Sequence, residues 1–274
     1  MKRLKIMGVC VTAVCVVGLI TGGAASAYTL TGLPEVGRCV KSAGKHGLYK
    51  YKNCVKLAEV AGAGAYEWET GPGEKSGFNA EAAEAKLETV GHEKVNCAGS
   101  EISGNWTGPQ TATVKVELRG CASAGRGCGV NPGKPTEITN EEPLEGELGF
   151  VHQGERPKVG LDLKPKAPAT ALFTFTCGGP PELTTPEPWV VEGSIIGKYR
   201  YVDARPRLEF GLRYEAAGGK QIPQMFEGGL KDTPIANRLT ESGLVTEEAG
   251  LTLADESTWI LGEYEEPLEV KAKV

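Results

Sequence analysis

From Ala112 to Cys121 the chain alternates apolar Val114, Val116 and Leu118 with charged Lys115, Glu117 and Arg119. A strict period of two is the signature of a β-strand with one buried face and one wet face. The pattern returns at Leu144 to Val151, Lys158 to Lys164, Ala171 to Cys177 and Leu208 to Glu215, so the half-buried strand is the repeated unit. Ala80 to Glu88 is rich in Ala and Glu and helix-prone by composition. It is nevertheless read as strand, because Leu87, Thr89 and Val95 continue the period of two. Val55 to Val60 has room for one short helical turn. Prolines 165, 168, 180, 181, 186 and 188 border strands rather than interrupt them, as in sheets with guarded edges. Gly125 to Pro135 reads as a loop. The expected fold is all-β: an antiparallel two-sheet sandwich, jelly-roll-like, of about a dozen strands. A split into two smaller sandwiches near Pro180 is the alternative.

The first residues carry a different message. Lys2, Arg3 and Lys5 precede an apolar run from Ile6 to Ile20, and Ala25-Ser26-Ala27 offers small residues for cleavage. This reads as a secretory signal peptide over 1–27. The apolar run is shorter than the roughly 20 residues of a membrane span. The mature chain, 274 − 27 = 247 residues, is expected outside the cell without a membrane span. Residues 28–63 are small and Gly-rich, which suggests a disulfide-stapled appendage on a main domain over 64–274.

Six cysteines lie beyond the leader: Cys39, Cys54, Cys97, Cys121, Cys128 and Cys177. An even count in an exported chain reads as disulfides. Zinc would need Cys or His paired at short spacing, and His46, His92 and His152 are scattered. Cys39 and Cys54 flank a turn at Ala43 to Gly47, and Cys121 and Cys128 close a Gly-rich loop, which leaves Cys97 for Cys177. No metal or other cofactor is indicated. Removing three leader charges takes the formal net charge from −5 to −8, and no stretch of the remainder concentrates Lys or Arg. Nucleic acid is therefore excluded as an expected partner.

Motifs for catalysis are scarce. Gly193-Ser194-Ile195-Ile196-Gly197 misses the nucleophile-elbow spacing, and Asn96 stands where a zinc-protease motif starting at His92-Glu93 needs histidine. Gly71-Pro72-Gly73-Glu74-Lys75-Ser76 lacks the glycine that precedes a phosphate-loop lysine. The pairs Glu67/Glu69 and Glu145/Glu147 each place two acids on one strand face, about 6.6 Å apart, a separation compatible with glycosidase carboxyls. With 31 glutamates in the chain, solvation of a wet face is the simpler reading of both. For ligand binding, Trp106 sits in Ser103-Gly104-Asn105-Trp106-Thr107-Gly108-Pro109, a glycine-flanked turn that would expose its indole as a platform for a sugar face. Asn105 supplies an amide beside it, and Tyr49 and Tyr51 are companions if the appendage folds over this end. The competing reading puts Trp106 in the core, where most tryptophans are largely buried.

Taken whole, the chain resembles a group of uncharacterised secreted proteins of high-GC soil bacteria. The resemblance lies in Leu33-Pro34-Glu35-Val36-Gly37-Arg38-Cys39, Leu87-Glu88-Thr89-Val90-Gly91, Pro143 to Gly149 and Val159-Gly160-Leu161-Asp162-Leu163. It implies export and a β-rich fold and carries over no functional residue. The functional expectation is a non-catalytic extracellular or cell-envelope module that binds a glycan or a surface protein. The alternatives are a jelly-roll polysaccharide hydrolase or lyase and a purely structural surface protein.

Overall fold

The structure, a computed structural model, describes residues 33–179, 184–230, 233–253 and 260–273. The leader expected over 1–27, Pro180, Pro181 and Trp259 lie outside the described residues. Thr111–Arg119 is a strand with Ala112, Val114, Val116 and Leu118 buried, as its alternation predicts. It pairs with Gly99–Trp106 on one side and with Leu144–His152 on the other. From there the sheet runs through Lys158–Lys164, Ile195–Tyr199 and Arg207–Arg213 to Ile260–Lys271, which returns to Gly77–Ala82 and so to Gly99–Trp106. Every one of these pairings is antiparallel, and the eight strands close into a barrel. Glu35–Lys41 and Tyr66–Thr70 extend from the far end of Ile260–Lys271 as a flap.

A second closed barrel contains Ala171–Cys177, Glu187–Glu192, Ile235–Thr240, Gly243–Leu253, Ala85–Thr89, Lys94–Cys97, Ala122–Ser123 and Arg126–Gly129. The all-β class therefore holds, while the two-sheet sandwich is replaced by two barrels. Alternation specifies that a strand has a wet side, but it is silent on whether the sheet curls shut. Closure is set by pairings distant in sequence, here Arg207–Arg213 with Ile260–Lys271 and Ala171–Cys177 with Arg126–Gly129. It removes the open edges a sandwich would have to guard, and eight strands is the size at which side chains fill the interior.

The chain crosses repeatedly between the barrels, so both draw strands from both sides of Pro180 and share one continuous buried core. The appendage expected over 28–63 begins with a strand of the main sheet, and only its later part lies over the flap. Among the described residues the helical structure is one turn, Ala43–Lys45, and Val55 to Val60 is not helical. The loop expected from Gly125 to Pro135 contains the strand Arg126–Gly129.

Aromatic rings fill the first barrel. Phe78 lies 5.7 Å from Trp106 and 5.9 Å from Phe210, which stacks on Tyr264 at 4.6 Å. Trp106 is only 2% exposed, so the exposed-platform reading is overturned. Gly104 faces the same interior, and a Cβ there would come within 2.6 Å of the Phe78 ring. The glycine that reads as a turn signal is in fact the space that admits a ring.

Two of the three disulfide expectations are also corrected. Cys39–Cys54 forms, but the others are Cys97–Cys121 and Cys128–Cys177. Cys128 and Cys177 stand opposite each other in the ladder that closes the second barrel, and Asn96 pairs with Ala122 in the ladder beside Cys97 and Cys121. The Cys121–Cys128 hairpin does bring the two backbones together, through the Cys128 N–H donating to the Cys121 carbonyl at 2.9 Å. Their thiols nevertheless bond to other neighbours. Non-reducing peptide mapping is expected to return these three pairs. Trp106→Ala should lower unfolding stability by about 3–5 kcal/mol in urea titrations, as the loss of a buried large aromatic does.

Candidate functional site

On the outer wall of the first barrel the wet-face positions of neighbouring strands line up in rows. One row runs Glu209, Glu263, Asn79, Ser103, Lys115 across five strands. The next places Asn105 opposite Gly77 on one side and Thr113 on the other, with Thr113 opposite Glu145. The Gly77 N–H donates to Glu265 Oε2 at 3.2 Å, which brings that carboxylate to the second row. The space a side chain at Gly77 would occupy is taken by that carboxylate, whose Cδ lies 2.6 Å from an ideal Cβ position. Between the rows lies a trough of about 520 Å³ whose polar rim includes Asn79, Ser103, Asn105, Thr113, Lys115, Glu263 and Glu265. Beneath these residues lie Phe78 and Tyr264 of the barrel interior.

The lining is amide, hydroxyl, carboxylate and one ammonium, so it both donates and accepts hydrogen bonds along its length. Glu209 and Glu263 are directly opposite each other, an arrangement that costs stability between like charges. Lys115 lies at the far end of their row. The arrangement can hold a ligand rich in hydroxyl groups, each of which donates and accepts.

Of the residues singled out in the sequence, Asn105 is exposed in the trough and Trp106 lies behind its wall. Tyr49 is 2% exposed, and its hydroxyl accepts from Lys271 Nζ at 2.7 Å. Tyr51 is 50% exposed and lines a different cavity. Glu67 accepts from the Leu48 N–H at 2.9 Å, and Glu69 pairs with Arg38 at 3.3 Å. Glu147 pairs with Lys164 at 2.8 Å, and Glu145 stands beside Thr113 at the edge of the trough. The sequence reading missed Asn79, Ser103, Thr113, Lys115, Glu263 and Glu265. A signal for the last two was present, since Glu263-Tyr264-Glu265 repeats the acid-x-acid pattern of the two pairs that were weighed.

No family model, no curated protein and no solved structure matches the chain. Among the described residues no group of three or more His, Cys, Asp or Glu is placed to hold a metal ion, and no helix is long and apolar enough to cross a membrane. Three disulfides fit an oxidising, extracellular-type environment.

Further along the outer face of Ile260–Lys271, the flap and its overlying segment bury a second set of charges. Lys271 is fully buried, its ammonium 4.0 Å from the Tyr49 ring centre and 4.9 Å from that of Trp68. Glu35 faces it across the ladder and accepts from Trp68 Nε1 at 2.6 Å. Glu269 is 3% exposed, and neither of its carboxyl oxygens has a hydrogen-bond partner among the described residues. Burial pushes the Glu269 carboxyl up to about 9 against the attraction of Lys271, and burial brings Lys271 down to about 8 against its neighbouring acids. A carboxyl raised in this way keeps a proton that the unfolded chain releases near pH 4.3. Its contribution to stability therefore falls as pH rises from there toward 9. Lys271 acts in the opposite sense, but only above about pH 8. Urea unfolding at pH 5.5 and 8 should show Glu269→Gln with a flatter pH dependence than the parent, and a gain at pH 8 on the order of 2 kcal/mol.

Proposed function

We propose that the chain is a secreted, non-catalytic binding module whose outer trough holds a segment of glycan chain. The observation that carries this reading is the pair of cross-strand rows, which line a concave surface of about 520 Å³ with groups that pair with hydroxyls. That volume lies within the range of about 300–1,000 Å³ over which ligand sites are found. An apolar small molecule would leave Asn79, Ser103, Asn105 and Thr113 without partners, and a buried polar group without one costs about 1–3 kcal/mol. The three disulfides support an extracellular setting.

One observation favours a second reading. Glu263 and Glu265 sit two apart on one face, about 6.6 Å along the strand, a separation compatible with paired glycosidase carboxyls. A polysaccharide hydrolase would use them as acid and nucleophile or base.

Affinity electrophoresis in gels containing neutral soluble polysaccharides, followed by calorimetry on the one that retards the protein, separates these readings. Asn79→Ala and Asn105→Ala are each expected to weaken binding about tenfold, or ~1.4 kcal/mol. No new reducing ends should appear on prolonged incubation. Reducing ends that disappear with Glu263→Gln or Glu265→Gln would replace the binding module with the enzyme. Retardation by none of the polysaccharides would remove the glycan reading altogether.

A further inference from the structure

A cavity of about 470 Å³ away from the trough is lined by Lys50, Tyr51, Lys52, Asn53, Tyr66 and Arg205. We infer that it is a separate site for an acidic sugar, one that bears both an anionic group and hydroxyls.

The charge comes from two segments that the fold brings together. Residues 36–58 carry six Lys or Arg and no Asp or Glu, in a chain whose formal net charge is −5. They are spaced along the segment and make no run, so the sequence expectation that Lys and Arg are nowhere concentrated is corrected by the cavity. The second segment supplies Arg205. Among the described residues Lys52 and Arg205 form no ion pair, while Lys50 shares its charge with the exposed Glu59 at 3.1 Å. Two exposed cations therefore line the cavity without an ion-pair partner among the described residues.

Both walls are rigidly held. The Cys54 N–H donates to the Tyr51 carbonyl at 3.1 Å, closing a tight turn with Lys52 and Asn53 at its tip, and the Cys39–Cys54 disulfide fixes that turn to the flap. On the other side, the Asp203 N–H donates to the Val270 carbonyl at 2.8 Å, and Asp203 Oδ1 accepts from the Ala272 and Lys273 N–H groups at 2.7 and 3.0 Å. Arg205 is thereby anchored to the end of the last strand. A site held in place before binding loses less on ordering when the ligand arrives.

The uncharged groups define the rest of the ligand. Asn53 contributes a side-chain amide to the lining, a group that both donates and accepts hydrogen bonds. A sugar hydroxyl likewise donates and accepts, whereas sulfate and carboxylate ions only accept. The half-exposed Tyr51 ring, with the Lys50 ammonium 5.7 Å from its centre, sets an aromatic surface beside positive charge, a combination suited to a pyranose that bears an anionic group. A duplex nucleic acid carries about one charge per 1.7 Å and is held by a long basic stripe; a compact cavity on an acidic protein does not provide one.

The test is gel retardation and calorimetry of the intact protein with polygalacturonate oligosaccharides, which carry carboxylates, and dextran sulfate, which carries sulfates, against plain dextran. A short DNA duplex is included as a further arm. At least one acidic polymer should bind ten times or more tighter than plain dextran, lose affinity between 0.05 and about 0.3 M salt as exposed charges are screened, and outcompete the duplex. Whichever of the two binds tighter assigns the anion. Lys52→Gln and Arg205→Gln, both at exposed positions, should each weaken binding about fivefold and together abolish it, with thermal unfolding unchanged. Asn79→Ala should leave it intact, which separates this site from the trough. The inference is overturned if neither acidic polymer exceeds plain dextran, if the double variant binds within twofold of the parent, or if the DNA duplex binds the site and the polysaccharides do not.

Discussion

The double pairing of Ile260–Lys271 is the constraint on which the first barrel depends. Its first half is held between Arg207–Arg213 and Gly77–Ala82, and its last residues pair with Glu35–Lys41. Without it the remaining strands form an open sheet with two exposed edges, a form that invites pairing with other chains. With it, Ile260, Tyr264, Leu268 and Val270 all point into the core, and the opposite face of the same strand is shared between two environments. Glu263 and Glu265 are exposed at the trough, while Glu269 and Lys271, four and six residues further on from Glu265, are buried under the flap. The two sets stand on either side of a register shift between Glu263 and Leu268 in the pairing with Arg207–Arg213.

The burial of Lys271 is the least expected consequence. An ammonium removed from water is costly unless paired. Here the faces of Tyr49 and Trp68 supply part of the compensation through their negative ring quadrupoles, with the Tyr49 hydroxyl as acceptor and Glu35 opposite. The same contacts clamp the segment after Glu35–Lys41 onto the sheet, and the Cys39–Cys54 disulfide closes that clamp covalently. That clamp sets the position of Tyr51, Lys52 and Asn53. A polar cluster that is costly for stability thus holds one wall of the proposed acidic-sugar site.

Much of the architecture was legible in the sequence, because its alternation is strong. Thr111–Arg119 and Ala171–Cys177 appear where their patterns place them, and the helix-prone Ala80 to Glu88 is taken by two strands, Gly77–Ala82 and Ala85–Thr89. Tertiary pairing overrides a weak local preference there. What the sequence could not carry was anything decided by distant partners. Ring closure, the pairing of Cys97 with Cys121, and the burial of Trp106 all depend on which strand lies beside which. Gly104 shows why local reading fails: the same residue that favours a turn also favours the close approach of a ring. Asn105 and Tyr51, expected from the sequence to share one site, line two separate cavities. Asn79, Ser103 and Thr113 are short polar residues on wet faces, and nothing in their spacing marks them until the rows are assembled.

Closure of the first barrel by its last strand is the claim on which the proposed trough depends, and amide hydrogen exchange tests it most directly. If Ile260–Lys271 is hydrogen-bonded on both sides, its amides from Ile260 to Tyr264 should exchange as slowly as those of Thr111–Arg119 in the wall, through global unfolding alone. Rapid exchange over Ile260 to Tyr264, at the rate of an edge strand, with Thr111–Arg119 still protected, would show an open sheet and contradict the account.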